Sequence, residues 1–419
     1  MSHRGFMGKK RGVDPCAYVP GLYTQAEVDD LINIDGYIPV ASAAEFDKMH
    51  TGLSETMGGC SIWAGTYTTG RDKNYIQVKD IDLSSITGAF STTELTGIYD
   101  GNELLLSDYS GTGSFIFPRI TNGSVKNCRF ADITINTSDS FCALIFSITS
   151  STTVTTTINN CRAVNCNITN TGSGGAGGMV GNNGSSFGVV DYCSFQGALS
   201  GSGVIGGFCG ENIGTVRDSY SDVILSPTST AIIRIGGFAA RNNGTIIRCY
   251  SDITMSKTGG GSRHGGFVGD NSFGSNIQEC YAIGTISSTG ANAVGGFSGR
   301  DESGTVISNC YAFVNITSAN LNVGGFIGNK RANVTNCYCV GTVSGSGSVG
   351  GFVGSSSGGT ISDSYWDTTV GPATSAVGTG QTTAQLQTPT TASGIYADWS
   401  DLIWDFGTDT EYPELINTP

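Results

Sequence analysis

The sequence is poor in several residue types, and each shortage excludes a class of protein. Only 9 of the 419 residues are proline, against 63 glycines, which excludes collagen because its triple helix needs a proline-rich repeat with glycine at every third position. Charged residues make up 13% of the chain, where about 25% is usual. Apolar residues still supply 38%, enough to bury a core, so the composition does not indicate disorder.

Basic residues are scarce as well. With 21 Lys and Arg against 34 Asp and Glu, the formal net charge is −13, which argues against nucleic acid or an anionic membrane as a partner. No apolar run approaches the roughly 18 residues of a membrane-spanning helix, and the basic N-terminus lacks the apolar segment of a secretory signal. We therefore expect neither membrane insertion nor a signal peptide.

The chemistry-bearing motifs of common metalloproteins are missing too. The 3 histidines and 13 cysteines form no CxxC or HExxH pattern, so we expect no metal, no cofactor and mostly free thiols.

What the sequence does contain is an internal repeat from about residue 125 to 370. An aromatic residue after a Gly-Gly pair returns every 26 to 30 residues, at Phe208, Phe238, Phe267, Phe297, Phe326 and Phe352, with Met179 in the same place one repeat earlier.

A cysteine or serine column gives the number of copies, about nine: Cys128, Cys161, Cys193, Ser219, Cys249, Cys280, Cys310, Cys337 and Ser364. Each copy holds three short β-prone segments, of the types T-I-x-x-C-Y, D-I-x-M or G-x-I-x, and G-G-F-x-G. Short strands at this period, with no helical periodicity, indicate a solenoid. We predict an all-β fold, a single-stranded parallel β-helix of about nine repeat coils plus entry coils, stacked about 4.8 Å apart, with the Gly pairs at corners that require positive φ.

The remaining segments flank this solenoid. We predict an N-terminal docking segment over residues 1–36, an entry cap with the first coils over 37–124, repeats over 125–371 and a C-terminal cap over 372–419. The only predicted helices form a small entry segment, over 24–34 and 42–53. Thr24 and Ser42 are their expected N-caps because Glu27 and Glu45 follow three residues later.

In-register stacking turns each repeat position into a column along the solenoid. The residue after G-G-F-x-G predicts a structural charge ladder in which the signs alternate: Glu211, Arg241, Asp270 and Arg300. The next position predicts a turn ladder bonded to the backbone: Asn183, Asn212, Asn242, Asn271 and Asp301.

Tyrosines follow the cysteine column, at Tyr220, Tyr250, Tyr281, Tyr311, Tyr338 and Tyr365. Adjacent residues of a strand face opposite sides, so one of the two columns faces the core and the other faces outward. We favour tyrosines in the core; the cysteines are then either small buried filling or a line of exposed thiols, and burial is the commoner state of free cysteine. The alternative places the tyrosines outside as a platform for sugar rings.

The repeats at 245–271, 276–301 and 305–330 run close to GGxVGxNxGxIxNCYAxGxV. They resemble the GLUG-repeat family, which occurs in bacterial surface adhesins, in segments of immunoglobulin-cleaving peptidases and in phage structural proteins. YIPVASAAEFDKM (37–49) is similar to the family's entry into the solenoid and SYWDTTVG (364–371) to its closing cap, so the resemblance covers about residues 37–419. It implies adhesive and packing roles; without a peptidase motif, a protease role does not carry over.

These features predict a non-enzymatic structural or adhesive component of a bacteriophage virion, such as a fibre or receptor-binding protein. Residues 1–36 would contact other virion proteins, and the solenoid would bind a host-surface glycan or protein; a homo-oligomer stays open. One alternative is an adhesin on a bacterial cell surface. Another is a β-helix glycan depolymerase, for which Asp222 and Asp252 on neighbouring coils are the best carboxylate pair.

Recognition is expected at the corner that precedes G-G-F, because its length varies while the strands do not. It spans 226–235, 256–266, 287–294 and 318–323 in four successive copies. Lys257, Arg263 and His264 give one of these corners a basic tip, the candidate site for an acidic glycan.

Overall fold

The computed structural model describes residues 21–50, 56–57, 67–90, 94–151, 153–228, 234–261, 263–272, 274–319, 321–388 and 394–419. Within them the backbone winds into a parallel β-solenoid of about nine turns with few helices. The predicted all-β class and the parallel stacking of the repeats are confirmed.

A regular coil contains four strands, one more than predicted. In the coil that begins at residue 215 they are Thr215–Arg217, Tyr220–Pro227, Arg234–Gly236 and Ala239–Asn242. The extra strand arises because two predicted segments are each divided by a turn. The T-I-x-x-C-Y segment contributes to the first and second strands, with a break just before the cysteine position, and the Gly-Gly-Phe segment spans the turn between the third and fourth strands. The strands of successive coils form four ladders, which we number first to fourth in chain order within the coil.

The first ladder consists of Ile38–Val40, Tyr75–Gln77, Ile98–Asp100, Ser124–Lys126, Thr156–Asn159, Gly188–Asp191, Thr215–Arg217, Thr245–Ile247, Asn276–Gln278 and Ile361–Ser362. The second consists of Ile81–Asp82, Leu105–Ser107, Ser110–Gly111, Arg129–Ala131, Thr134–Thr137, Arg162–Asn170, Ser194–Gly201, Tyr220–Pro227, Tyr250–Lys257, Tyr281–Thr289, Val343–Ser344, Tyr365–Asp367 and Thr379–Gln381. Two long strands, Val306–Ala319 and Asn333–Val340, run through the corner and belong to both ladders.

The third ladder consists of Phe141–Cys142, Gly175–Gly177, Ile205–Gly206, Arg234–Gly236, Arg263–Gly265, Ala293–Gly295, Asn322–Gly324 and Ser348–Gly350. The fourth consists of Phe117–Thr121, Ile145–Thr149, Val180–Asn183, Cys209–Asn212, Ala239–Asn242, Val268–Asn271, Ser298–Asp301, Ile327–Lys330 and Val353–Ser356. Two antiparallel pairs lie outside the ladders: Thr56–Met57 with Tyr67–Thr68, and Trp404–Asp405 with Glu414–Leu415.

The core is built from columns of identical residues. The phenylalanines that follow the Gly pairs are completely buried and stack with ring centroids 4.7 to 4.9 Å apart, nearly parallel. The spacing is that of neighbouring β-strands, so the rings stack because the backbone register places them over one another. The members of this phenylalanine column are Phe208, Phe238, Phe267, Phe297, Phe326 and Phe352.

The corner between the first and second ladders is made by residues in the left-handed region. Their φ values lie between 45° and 55°, and none of them is glycine: Asn127, Asn160, Tyr192, Asp218, Arg248, Glu279, Asn309, Asn336 and Asp363. The predicted role of the Gly pairs is therefore wrong, since Gly236 and Gly237 do not have positive φ. They are glycines because coils approach closely: a Cβ on Gly237 would lie 2.0 Å from the carbonyl oxygen of Gly266.

The cysteine column that follows this corner faces the core. Each member donates to the carbonyl two residues earlier, as Cys193 does to Asp191 over 3.1 Å and Ser219 does to Arg217 over 2.7 Å. The Cys193 N–H in turn donates to Ser219 Oγ of the next coil over 3.0 Å. The column thus requires a small side chain that both donates and accepts, which is why serine replaces cysteine at 219 and 364. The predicted burial of these thiols is confirmed.

Both ends of the solenoid are covered. At the N-terminal end, helix α1 (Gln25–Asn33) has the predicted capping box of Thr24 and Glu27, and helix α2 (Ala43–His50) begins after Ser42 as predicted. Phe46 of α2 packs edge-on against Tyr99 and Phe117 of the first coils. The end of the second predicted helix, residues 51–53, lies outside the described residues.

Part of the predicted docking segment 1–36 is folded onto the solenoid, and its docking role stays a prediction. Residues 1–20 lie outside the described residues, but α1 packs on the solenoid through Val28 and Ile32, against Ile76 and Val78. Gly21 begins the described chain beside Asn102. The helix therefore belongs to the folded entry cap.

The C-terminal cap has two parts. Thr379–Gln381 adds a last strand to the second ladder and leads into a short helix, α3 (Thr383–Leu386), whose capping box is formed by Thr382 and Gln385. The rest of the chain, including the antiparallel pair Trp404–Asp405 and Glu414–Leu415, folds back over the outside of the second ladder.

Candidate binding surfaces

The predicted basic tip is not an accessible cluster. Lys257 is the last, inward-facing residue of its strand and only 2% exposed, and its ammonium group donates to the carbonyls of Thr258 and Gly259 at 3.2 and 3.4 Å. His264 is completely buried, with Nδ1 2.7 Å from Ser288 Oγ, and burial lowers the pKa of its imidazole to about 3. The structure brings the two side chains together inside the corner, where they do not form the predicted glycan site.

The third member of that set, Arg263, faces a different partner. Its guanidinium is bonded to Asp270, which is only 2% exposed. Arg234 Nε lies 2.9 Å and Arg300 Nε 3.2 Å from the same carboxylate. One nearly buried carboxylate is thus shared by three arginines from three coils, an arrangement that fixes side chains and compensates the buried charge.

The four residues of the predicted charge ladder are direct register partners in the fourth ladder. Arg241 Nη1 lies 3.9 Å from Glu211, a loose pair between two partly exposed side chains. Arg300 also contacts Glu302, which Arg331 reaches over 3.4 Å. Pairs of this exposure contribute at most about 1 kcal/mol each, so the column sets register and surface charge more than stability.

The neighbouring asparagine column lies inside the wall and is completely buried. Asn183 Nδ2 donates to Asn212 Oδ1 over 2.8 Å, and Asn212 does the same to Asn242. Asn212 also donates to the Gly214 carbonyl, as expected for a turn ladder. The bonds between side chains on successive coils are an addition that the sequence did not reveal. At the end of the column, burial raises the pKa of Asp301 to about 7.

The carboxylate pair considered for catalysis does lie on adjacent coils. Asp222 and Asp252 are register partners on the outer face of the second ladder, and Gln196 donates to Asp222 over 2.7 Å. Partial burial and the charge of Asp222 raise the pKa of Asp252. The column then continues with Ile283, so it contains two carboxylates and no more along these coils.

The tyrosine column shares that outer face, so its favoured placement in the core is wrong. The left-handed corner residue turns the cysteine inward and the following tyrosine outward. Tyr220, Tyr250 and Tyr281 are half-buried and stack 4.8 Å apart with interplanar angles of 2° and 4°. Rings stacked so closely expose their edges and hydroxyls, so they do not offer the ring faces that a sugar platform needs.

The C-terminal cap covers the other half of the tyrosine column. Tyr311, Tyr338 and Tyr365 are buried beneath a cluster that includes Trp399 and Trp404. The Tyr338 hydroxyl donates to the Pro413 carbonyl and the Tyr365 hydroxyl to the Ile395 carbonyl, the second over 2.6 Å. The outward tyrosines therefore form the surface on which the cap docks.

A groove that the sequence did not predict runs along the outer side of the first fourth-ladder strands. It consists of a cavity of about 850 Å³ near Arg71, Phe115 and Asp139 and a second of about 270 Å³ near Ser147 and Asn182. Arg119 and Phe146 line both cavities. Arg119, Ser147 and Asn182 occupy the same column as Glu211 of the charge ladder. Their spacing of 28 and then 35 residues hides that column in the sequence.

In the part of the chain that the structure describes, no three His, Cys, Asp or Glu side chains lie close enough together to hold a metal ion. The described helices include none long and apolar enough to cross a membrane.

No protein-family model matches the sequence, and a search of curated proteins finds no match. Among solved structures, the chain matches a protein from Bacteroides ovatus that is provisionally assigned as an immunoglobulin A1 protease. The two are 17% identical, the match covers 91% of this chain and 93% of that one, and the TM-score is 0.39. A similarity this low supports no inference about the function of this chain.

Proposed function

We propose that the protein is a non-enzymatic structural and adhesive component of a bacteriophage virion that binds a glycan or protein on the host surface. The observation that carries the proposal is the contrast between constant strands and variable corners. The four ladders keep their register through the regular coils, while the corner between the second and third ladders shortens from six residues (228–233) to five (258–262), three (290–292) and two (320–321). Loops of changing length on a rigid scaffold are a common arrangement for recognition.

Two further features support an extracellular structural role. The regular coils are joined by continuous backbone hydrogen bonding, which makes the solenoid resistant to local opening. At the N-terminal end Phe46 of α2 packs into the core of the first coils, and at the other end the Thr374 carbonyl and the Ser375 hydroxyl accept from the N–H groups of Gly351 and Val353, which limits pairing of these ends with other chains. The resemblance to the GLUG-repeat family points in the same direction, because that family includes phage structural proteins and surface adhesins.

We assign contacts with other virion proteins to residues 1–36, of which α1 (Gln25–Asn33) packs on the first coils through Val28 and Ile32. The described chain begins at Gly21, beside Asn102 on the flank of the first coils. Contacts with other virion proteins would then involve the entry cap, and host contacts would involve the solenoid wall.

Mass spectrometry of purified virions and negative-stain images of particles labelled on this chain test the proposal. We expect the protein in stoichiometric amount and the label on an external appendage. Its absence from virions, together with its detection on intact bacterial cells free of phage, would instead establish the bacterial adhesin.

A glycan depolymerase is the second candidate, and one observation favours it. Asp222 and Asp252 are register partners, and the raised pKa of Asp252 is what a general acid beside a second carboxylate requires. Incubation of the pure protein with host capsular glycan tests this candidate by chain length. Shortened chains that disappear in the Asp252→Asn variant would replace the binding role with an enzymatic one.

A further inference from the structure

We propose that the groove along the first fourth-ladder strands binds an acidic oligosaccharide, with Arg119 facing the carboxylates of the ligand. The inference rests on the proposed adhesive function and names its site and ligand class. The larger cavity, of about 850 Å³, has the size of a typical ligand site, and the smaller one, of about 270 Å³, adjoins it. Arg119 and Phe146 lie where they meet.

The larger cavity is lined by two cations, Arg71 and Arg119, and two carboxylates, Glu94 and Asp139, and Arg119 is the cation that forms no ion pair with the described residues. Glu94 is paired with Arg71 over 3.5 Å and accepts from the Thr121 hydroxyl over 3.0 Å, and Asp139 accepts from the Ser114 hydroxyl. Arg119 is exposed, and no carboxylate of the described residues lies within 4.0 Å of its guanidinium. An arginine in this position binds a carboxylate through two parallel hydrogen bonds.

Unsatisfied polar atoms lie next to that arginine. The Ser147 hydroxyl and Asn182 Oδ1 are buried and have no hydrogen-bond partner among the described residues, and both residues line the smaller cavity. Ser147 is 7% exposed and is the register partner of both Arg119 and Asn182, so the three lie on successive coils. Buried polar groups without partners cost about 1 to 3 kcal/mol each, and sugar hydroxyls that reached them would remove that cost.

Aromatic rings complete the groove. Phe115 and Phe146 pack with centroids 5.5 Å apart at 56°, and both line the larger cavity. Phe141 lines the smaller one. Apolar rings beside a hydroxyl, an amide and one arginine that forms no ion pair with the described residues match a ligand with apolar C–H faces, many hydroxyls and carboxylates at intervals. An oligosaccharide of uronic or sialic acids has this chemistry, whereas a neutral glycan leaves Arg119 unpaired.

The test measures binding of the full chain to oligogalacturonate, oligomannuronate and oligosialate of three to six residues by calorimetry. Methyl-esterified forms of the same sugars keep the hydroxyls and lack the charge, and an oligoglutamate peptide keeps the charge and lacks the sugar. We expect at least one acidic sugar to bind, with a tenfold or greater loss on esterification. Binding of none of the three sugars, or equal binding of oligoglutamate, would overturn the proposal.

Three variants place the site. Arg119→Gln is expected to weaken acidic-sugar binding at least tenfold, and Ser147→Ala severalfold with an unchanged or higher melting temperature, because it deletes an unsatisfied hydroxyl. Arg162→Gln is the matched control, since Arg162 is an exposed arginine of the second ladder. Unchanged affinity in Arg119→Gln, or an equal loss in Arg162→Gln, would show that the sugar binds elsewhere.

Failure of this site is distinguishable from failure of the proposed function. Binding of the unmodified chain to host cells, compared with Arg119→Gln, separates the two. If both bind cells equally, the adhesive function stands and the groove is not its site. If the chain binds acidic sugars in calorimetry but is absent from virions and does not bind host cells, the proposed sugar site in the groove is supported and the proposed adhesive function is contradicted.

Discussion

The inner phenylalanine column and the outer tyrosine column differ in environment more than in geometry. Both repeat once per coil, and their rings stack at nearly the same spacing, 4.7 to 4.9 Å inside and 4.8 Å between Tyr220, Tyr250 and Tyr281 outside. The phenylalanines are 0% exposed, whereas Tyr220, Tyr250 and Tyr281 are half-buried.

The comparison separates stacking from burial. Register alone places both sets of rings over one another, so stacking is a consequence of the solenoid and is not evidence of strong interaction. Burial of a large apolar side chain contributes about 1.5 to 3 kcal/mol, against about 0.5 to 1.5 kcal/mol for a well-placed aromatic pair. We therefore expect inner columns to determine stability, and outer columns to matter only where another segment covers them.

Phe267→Ala is the strongest test of this view. It removes a fully buried ring from between Phe238 and Phe297, in a wall that cannot collapse because the strands on either side are fixed by register. We expect a loss of about 3 to 5 kcal/mol in the free energy of unfolding, measured by denaturant titration. Tyr250→Ala is the matched outer variant, and a loss as large as that of Phe267→Ala would contradict the comparison.

Asp301, in the buried asparagine column, allows the contribution of an inner column to stability to be tested by varying pH. Its folded pKa of about 7 lies above the ordinary value of 3.8, so between about pH 4 and 7 the folded state holds a proton that the unfolded state has released. Stability should therefore fall as pH rises through this window, by up to about 1.4 kcal/mol per pH unit, and level off above pH 7. Asp301→Asn should remove this slope and raise the melting temperature at pH 8, because an amide continues the asparagine column.

The charged and polar groups around Asp301 also determine which result would contradict this pH prediction. Asp270 raises its pKa and Lys330 lowers it, while Ser298 Oγ donates to it over 2.6 Å. If the ionised Asp301 is instead stabilised by Lys330, melting temperatures will not fall between pH 5 and 8, and Asp301→Asn will be the less stable protein at pH 8. Asp409→Asn, at an exposed position of the cap, controls for the change in net charge.

The cysteine column gives a smaller and more specific test. Cys249 Sγ donates to the Ile247 carbonyl over 3.2 Å and accepts from the Ser219 N–H. Cys249→Ser keeps both bonds and reproduces the arrangement at Ser219, so we expect less than about 1 kcal/mol of change. Cys249→Val fills similar volume but leaves the Ser219 N–H without its acceptor, and should cost about 1 to 3 kcal/mol by the same titration; the Ile247 carbonyl keeps its bond from the Asp218 N–H over 3.1 Å. A valine variant more stable than the serine variant would show that the column is only apolar filling.

The period of the sequence predicted the solenoid because every copy must return to the same place after one turn. It did not predict which of the adjacent cysteine and tyrosine columns faces inward, because that depends on the φ of the preceding residue. Six of the nine corner residues are Asn or Asp, which tolerate positive φ, and this column was the available signal. Arg248 and Glu279 are not residue types that favour positive φ, so only their register with the neighbouring coils identifies their conformation.

The candidate binding residues were harder to predict than the fold. Lys257 and His264 are polar residues at a glycine-rich corner, and composition alone suggested exposure. Strand alternation places Lys257 on the inner side, since it follows Met255 by two residues and Met255 is 1% exposed. Arg119 was missed because the early copies deviate from the repeat, and the groove forms where they do.

Removing one tyrosine hydroxyl from each half of the tyrosine column, the half under the cap and the half outside it, compares the two directly. Tyr338 is completely buried, and its hydroxyl donates to the Pro413 carbonyl of the cap; Tyr250 has no hydrogen bond from its hydroxyl to any described residue. Tyr338→Phe should cost about 1 to 2 kcal/mol, because the carbonyl is left unpaired in a buried site. Tyr250→Phe should change the free energy of unfolding by less than about 0.5 kcal/mol.

Tryptophan fluorescence reports the result directly, because Trp399 and Trp404 lie in the cap over Tyr338. In Tyr338→Phe the fluorescence change should move to lower denaturant, while in Tyr250→Phe it should coincide with that of the unmodified chain. Equal shifts in both variants would mean that the hydroxyls act through the stack itself. The column would then be one cooperative unit along its whole length, and coverage by the cap would not be what distinguishes its two halves.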